Sequence, residues 1–487
     1  MYNIGNIPIV NALKNYIDNK TIRFHMPGHK GSSIVHQSIG DLLGNKIFLA
    51  DVTNVPGMDD LHRPHGVIDS AQRLAARAFG ANYTYFLVNG SSCGLQALVL
   101  TVCNAGDKIL VPRNIHRSIL SGVILSGAVP VFYMPEYDDD YGIPLGINPD
   151  TIRDSLDKHD VKAILLVSPT YHGITSDISS IAKIAHERRL PLIVDEAHGP
   201  HLQFHSRLPD GSLQCGADAS VHGSHKLLTA LTQASMLHLK SSLIDRHRLE
   251  ANLKLLQSTS TSYLLLSSLD AARALMEDQG EYLLENTLNL ANYTRQQINE
   301  TKNYRSFGAE VAGKPGIHDL DLTKITISVK PLRVTGFWVE QFIRQNHHIQ
   351  VEMSDLFNIL LLLTHGNTRQ DIDIFINALQ NVVNHVSQQP PIDSSDLTKI
   401  NIMPDIPDLV ATPRDAYFSP TVNIPLEESV GRISGEVVAC CPPGIPIICP
   451  GERITSAILD YLIAMRNIGA LFQGTYDPNL TNIAVIA

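Results

Sequence analysis

Several things are scarce in this chain, and each scarcity removes a class of protein. Cysteine occurs six times in 487 residues, at positions 93, 103, 215, 440, 441 and 449, without paired CxxC spacing. Neither a disulfide framework nor a zinc–thiolate site is expected, and a reducing, cytoplasmic setting follows. The longest apolar runs break off well short of the roughly 18 residues that a membrane span needs. The N-terminus, MYNIGNIPIVNALKNYID, has no basic stretch followed by an apolar core, so it does not read as a signal peptide. Positive charge is in deficit, with 38 Lys and Arg against 48 Asp and Glu for a net charge of −10. That argues against nucleic acid or an anionic membrane as the main partner. Internal repeats and low-complexity tracts are missing too.

What is present is a long, ordinary globular composition, 44% hydrophobic and 18% charged. Such a length exceeds one core, so two or three domains are expected. Apolar strand-like runs occur at 83–88, 107–111, 129–134, 161–167 and 191–194. Helical patterns occur at 69–79, 94–103, 148–159 and 177–189. Strands alternating with helices predict an α/β fold with a mainly parallel sheet covered on both faces. Ligands on such sheets bind outside the carboxyl ends of the strands. After residue 250 the texture changes: residues 255–299 read as long-helix material leading to a smaller α/β unit. The expected division is an N-terminal arm (1–20), a large domain (21–255), a linking helix with a small α/β domain (256–387), a Pro/Ser-rich linker (388–400) and a compact C-terminal domain (401–487).

The chemistry-bearing residues gather between Pro191 and His238. Asp195 closes a short apolar run, and Lys226 follows Ser224 and His225 between two further strand-like runs, 217–221 and 233–239. A buried acid and a buried lysine at two strand ends suit pyridoxal 5'-phosphate (PLP), with the lysine as covalent anchor and the acid keeping the pyridine nitrogen protonated. Each residue alone also has a plain reading: Lys226 as a solvated side chain, Asp195 as a helix cap. NGSSCG (89–94) follows a strand and opens a helix, where small residues let backbone N–H groups approach a phosphate. RNIHRS (113–118) offers a histidine able to stack on a pyridine, and SPTYHG (168–173) would line the same crevice. His198, His201 and His205 have a spacing that could suit a zinc hydrolase, but the HExxH context of such enzymes is absent.

Taken together these residues resemble the Orn/Lys/Arg decarboxylases, PLP-dependent enzymes of the aspartate-aminotransferase-like fold type I. The resemblance runs from FHMPGHKG (24–31) through DEAHG (195–199), HK (225–226) and TPRDAYF (412–418) to GRISGEVVACCPPGIPIICPGERIT (431–455). The chain looks like a short form without the N-terminal wing domain, similar above all to arginine and lysine decarboxylases. The resemblance implies that Lys226 forms the Schiff base, Asp195 pairs with the pyridinium, His116 stacks on one ring face and Ala197 packs on the other. It makes Gly90, Ser91, Ser92, His198, Ser224 and His225 cofactor contacts, with His225 or Lys226 as proton donor. Thr259, in TSTSY (259–263), would reach the cofactor of a partner subunit, so a homodimer with shared sites is implied. His25 and His29 would line the substrate side, and Asp355 and Glu452 are candidates for the substrate's distal cation. One departure is Gly223, where the family usually has serine. The implied reaction is decarboxylation of a basic L-amino acid in polyamine metabolism: arginine to agmatine first, lysine to cadaverine second, ornithine to putrescine third. An aminotransferase on the same fold would need an arginine clamp that is not evident, and a catalytically silent relative would not need Lys226, Asp195 and His116 together.

Overall fold

The computed structural model describes residues 7–32, 34–386, 403–441 and 444–487. The expected linker at 388–400 lies outside the described residues.

Short runs rich in Ile, Leu and Val make seven strands: β1 (Tyr83–Leu87), β2 (Lys108–Pro112), β3 (Val129–Tyr133), β4 (Ile164–Val167), β5 (Leu192–Asp195), β6 (Ala219–His222) and β7 (Ser235–Leu239). They form one sheet in the order β1-β7-β6-β5-β4-β2-β3. All neighbours are parallel except β7, which runs against both β1 and β6. Because β1 and β6 both oppose β7, their carboxyl ends emerge on the same side of the sheet as those of β2, β4 and β5.

Alternate side chains feed two cores. Leu165, Ile193 and Val221 pack under helices Gly90–Val102 (α1) and Arg117–Ser126 (α2), whereas Ile164, Leu166 and Val194 pack under Ile178–Glu187 (α3). Each such buried aliphatic side chain is worth roughly 1.5–3 kcal/mol over its exposed form. Helix α1 sits unusually close: a Cβ at Gly94 would come 2.7 Å from Leu87 Cδ1, so only glycine lets the helix pack there. The free edge of β1 is blunted by two buried glutamines. Gln72 Oε1 accepts from Phe86 N and Gln257 Oε1 accepts from Val88 N, both at 2.9 Å.

A 38-residue helix, Tyr263–Glu300 (α4), opens on Ser262 as its cap and joins two parts of the molecule. Its first half packs Leu266, Leu269 and Met276 on the large core, and its second half places Ala291 and Ile298 in a smaller one. That smaller core covers an antiparallel sheet of Lys324–Ser328 (β8), Met353–Ser354 (β9) and Asn358–Leu362 (β10) in the order β8-β10-β9. A third core gathers Val438, Ile448, Ile458, Leu462 and Val485 around a hairpin of Val438–Cys441 (β11) and Ile445–Ile448 (β12). Among the described residues no helix is long and apolar enough to cross a membrane.

Candidate active site

Strand order reverses at β2, which has β3 on one side and β4 on the other, and ligands of open α/β sheets bind at such a switch point. A cavity of about 230 Å³ lies there. Its wall comes from the loops leaving β1 (Gly90, Ser91, Ser92), β2 (Asn114–His116), β4 (Pro169–His172), β5 (Asp195, Ala197, His198) and β6 (His225, Lys226).

Lys226 stands in the short turn of helix Ser224–Leu227, directly after β6. Its Nζ is 2.8 Å from His198 Nε2 and 5.5 Å from the centre of the Tyr171 ring. Burial lowers the affinity of this amine for its proton, with Asp195 pulling the other way. Asp195, 5% exposed at the end of β5, accepts from Ala197 N at 3.2 Å. Desolvation pushes its carboxyl up to about 6 despite the opposing pull of Lys226. His116 caps α2, where its Nδ1 accepts from Ser118 N at 3.2 Å and bonds Ser118 Oγ at 2.8 Å. An Nδ1 that accepts leaves the proton on Nε2. Burial, with Lys226 and Arg117 nearby, lowers this imidazole, so the ring that lines the cavity is neutral. His225 Nδ1 bonds Ala234 O at 3.0 Å. A carbonyl only accepts, so Nδ1 carries the proton and Nε2 is left free as an acceptor.

The residues present suit a phosphate-bearing cofactor. Helix α1 starts on Gly90 at φ 78° without a side-chain cap, because Asn89 Oδ1 accepts from Ser258 N instead. Its first N–H groups are left for an anion. Ser224, directly before His225, is fully buried with a hydroxyl that has no partner, and it stands outside the cavity lining itself. Gly223 is explained by crowding: a Cβ there would sit 2.8 Å from Ala197 O and 3.1 Å from Lys226 Cδ. Glycine at 223 therefore leaves Ser224 as the hydroxyl beside the lysine.

Not every candidate residue reaches the cavity. Glu452 does not serve a substrate cation. Its carboxylate, with no exposure, takes both terminal nitrogens of Arg113 at 2.5 and 2.8 Å and Cys449 N at 2.7 Å. Asp355 lies in an adjoining cavity of about 80 Å³ that shares Pro144, His172 and Ile445 with the first. It accepts from Phe357 N and Asn358 N, and desolvation raises it to about 6. His25, His29 and Thr259 stand away from their own chain's cavity wall: His25 bonds Tyr16 Oη at 2.5 Å, His29 meets Asp51 at 3.1 Å, and Thr259 is exposed. The HxxHxxxH histidines do not converge on one point. His198 turns to Lys226, His201 to Asp321 at 3.1 Å and His205 to Glu285 at 3.0 Å, and among the described residues no group of three ligands could hold a metal. Asn114, Thr170, Tyr171 and His172 line the cavity without having been singled out by sequence, although SPTYHG at a strand end pointed to that loop. Lys324 and Asp321, buried beneath it, carried no signal, since a lysine opening KITIS reads as an ordinary strand edge.

The sequence profile of the Orn/Lys/Arg decarboxylase major domain matches residues 7–371, and that of the C-terminal domain matches residues 398–480. The chain is 41% identical over 480 residues to arginine decarboxylase of Bacillus subtilis (strain 168), covering 98% of this chain and 97% of the relative. It is 26% identical to the lysine decarboxylase LdcA of Pseudomonas aeruginosa, covering 96% of this chain and 77% of that one. Among solved structures, the lysine decarboxylase LdcF of Francisella novicida superposes with a TM-score of 0.85 at 22% identity, over 100% of this chain and 82% of the other.

Proposed function

The chain belongs to the Orn/Lys/Arg decarboxylase family, and on that premise we propose that it is a PLP-dependent decarboxylase acting on arginine. The observation that carries this reading is the meeting of Lys226 and Asp195 in one cavity at the strand-order reversal, beside an uncapped helix start. When bound, PLP supplies an electron sink for the bonding pair released as the carboxyl group leaves as CO2. The chain's own residues do the rest. The N-terminus of α1 with Ser91 and Ser92, together with Ser224 and His225, would hold the phosphate. Asp195 would keep a proton on the ring nitrogen, and its desolvated carboxylate makes that pairing strong. His116 and Ala197 would confine the ring between them, so that the scissile bond is held in one orientation. Lys226 anchors the cofactor, and with His198 at 2.8 Å it has a partner to take or return a proton as the amine changes hands. Leu95, Ile115, Val167 and Ile445 supply the apolar part of the lining and keep water out.

The distal guanidinium needs an acidic partner, since an unpaired buried cation is costly. Asp355, beside Tyr137 and Tyr461 in the adjoining cavity, fills that role in this reading. The working unit is a homodimer in the cytoplasm, with His25, His29 and Thr259 facing the cavity of the second copy. The test is release of CO2 by the purified, PLP-loaded protein from arginine, lysine and ornithine in parallel. Arginine is expected to be fastest. A faster reaction with lysine or ornithine overturns the substrate. Amino-group transfer to a 2-oxo acid without CO2 release overturns the reaction class.

A further inference from the structure

Beneath the cavity one of the links between the small sheet and the large domain is the turn Asp321-Leu-Thr-Lys324, which leads into β8. Lys324 is fully buried. Its Nζ donates to the main-chain oxygen of His198 at 2.7 Å and lies 3.3 Å from Asp321 Oδ2. The same carboxylate oxygen is 3.1 Å from His201 Nε2, while Oδ1 accepts from Thr323 N at 3.0 Å and Thr323 Oγ1 at 2.7 Å. Lys324 thus bonds the first residue of the turn His198-Gly-Pro-His201, while Asp321 faces the last as a charge contact and Thr323 Oγ1 reaches the same His201 Nε2 at 3.3 Å. The turn packs closely enough that only glycine fits at its second position, because a Cβ at Gly199 would come 2.8 Å from Glu196 Cγ and 2.9 Å from Pro169 Cδ. What the turn presents to the cavity is the imidazole of His198, with Nε2 on the Lys226 amine and Nδ1 buried without a partner. A buried lone pair left unpaired is tolerated better than a buried N–H left unpaired. When the Lys226 amine is uncharged, the proton therefore belongs on Nε2, from which it donates to that amine.

We propose that Lys324, with Asp321, is a positioning residue for Lys226: by fixing the main chain of His198 it keeps the Nε2–H on the lysine amine, so that the seating of the small sheet against the large one sets how readily that amine exchanges its proton. The proposal rests on Lys226 being the cofactor lysine. The charged and titratable groups around the Lys226 amine are Asp195, His198, His116, His225 and Tyr171, with Glu352 and Lys324 further out. Two effects of Lys324 can therefore be separated: its field on Lys226, and its hold on His198.

The experiment measures the rate at which the full-length apo-protein captures PLP, followed by absorbance across pH, whose midpoint reports the free Lys226 amine. If the wild type captures no PLP, the proposed function fails and not this inference alone. Lys324→Met is expected to raise the midpoint by about one pH unit, roughly a tenfold slower capture on the low-pH limb. In a His198→Gln background the same change should have almost no further effect. Asp321→Asn separates the two effects by sign. Loss of a negative charge would lower the midpoint through the field alone, whereas release of the His198 turn raises it, and this variant carries the test where Lys324→Met does not fold. An unmoved midpoint, an equal shift with and without His198, or a downward shift in Asp321→Asn overturns the proposal.

Discussion

The floor and the rim of the candidate site are built in opposite ways. On the floor, Asp195, His198, Asp321 and Lys324 are all buried, and each is within bonding distance of a group from the same chain. Away from the cavity wall, several side chains between Ile22 and Leu42 do the reverse. Phe24 is 93% exposed and Ile34 90%, with Ile22, Met26 and Leu42 also open to solvent. Thr259 and Ser260, a loop in which the resemblance foresaw a cofactor contact, are exposed as well. Large apolar side chains left this exposed within one short segment are a feature of interaction sites. The contrast is the one the proposed homodimer requires: chemistry laid down by one chain, and an exposed segment left for a second.

If the floor is self-sufficient, its removal should cost everything. Lys226→Ala is expected to abolish both the absorbance of bound cofactor and CO2 release, and a variant retaining that absorbance would move the anchor to another lysine. Asp195→Asn should keep cofactor but lose about a hundredfold or more in turnover, because a neutral amide cannot hold the ring nitrogen's proton and each 1.36 kcal/mol of barrier is tenfold in rate. Turnover near that of the wild type would reduce Asp195 to a strand-end cap. The rim is tested by mixing. An inactive Lys226→Ala chain combined with an inactive chain altered at Thr259, Ser260 and Thr261 should regain about a quarter of the activity, since half of randomly exchanged dimers carry one intact site out of two. No recovery after confirmed subunit exchange would confine each site to one chain. The smallest effect sharpens the floor's cost. The Asp195 carboxyl is raised to about 6 from 3.8, so the folded protein holds its proton more tightly than the unfolded chain. This stabilisation is complete below pH 4 and fades as pH climbs through 6. Above pH 6, apo Asp195→Asn should therefore be more stable than apo wild type, by at most about 3 kcal/mol. Equal melting of the two at pH 8 would contradict the burial argument.

Much of this was legible in the residues. Strand runs and their spacing foretold the sheet and its mainly parallel sense, and the motifs at the carboxyl ends of strands foretold the cavity wall, because local pattern and loop chemistry coincide there. Helix α2 went unforeseen, since the cap that starts it is His116, an uncommon capping residue. Glu452 was misjudged for a different reason. Its partner, Arg113, lies 339 positions earlier, and no local pattern announces a contact across that span. Lys324 escaped for the same cause: a buried lysine looks like an exposed one until its partners are placed around it. Sequence pattern marks which residue types gather at a site, while long-range pairing decides which of them remain free to act.

The Arg113–Glu452 pair also bears on how the protein is made. Arg113 emerges from the ribosome early, at the end of β2, and must be buried if the large sheet is to close over it. Its carboxylate partner, and the Ile447 carbonyl that takes its other N–H at 2.9 Å, come more than 330 residues later. In the full-length chain, loss of the Glu452 carboxylate alone would leave Arg113 a buried, unanswered cation, a cost of roughly 3–5 kcal/mol against a whole-domain stability of about 5–15 kcal/mol. The pair thus makes the seating of an early strand depend on a segment that follows it by more than 330 residues.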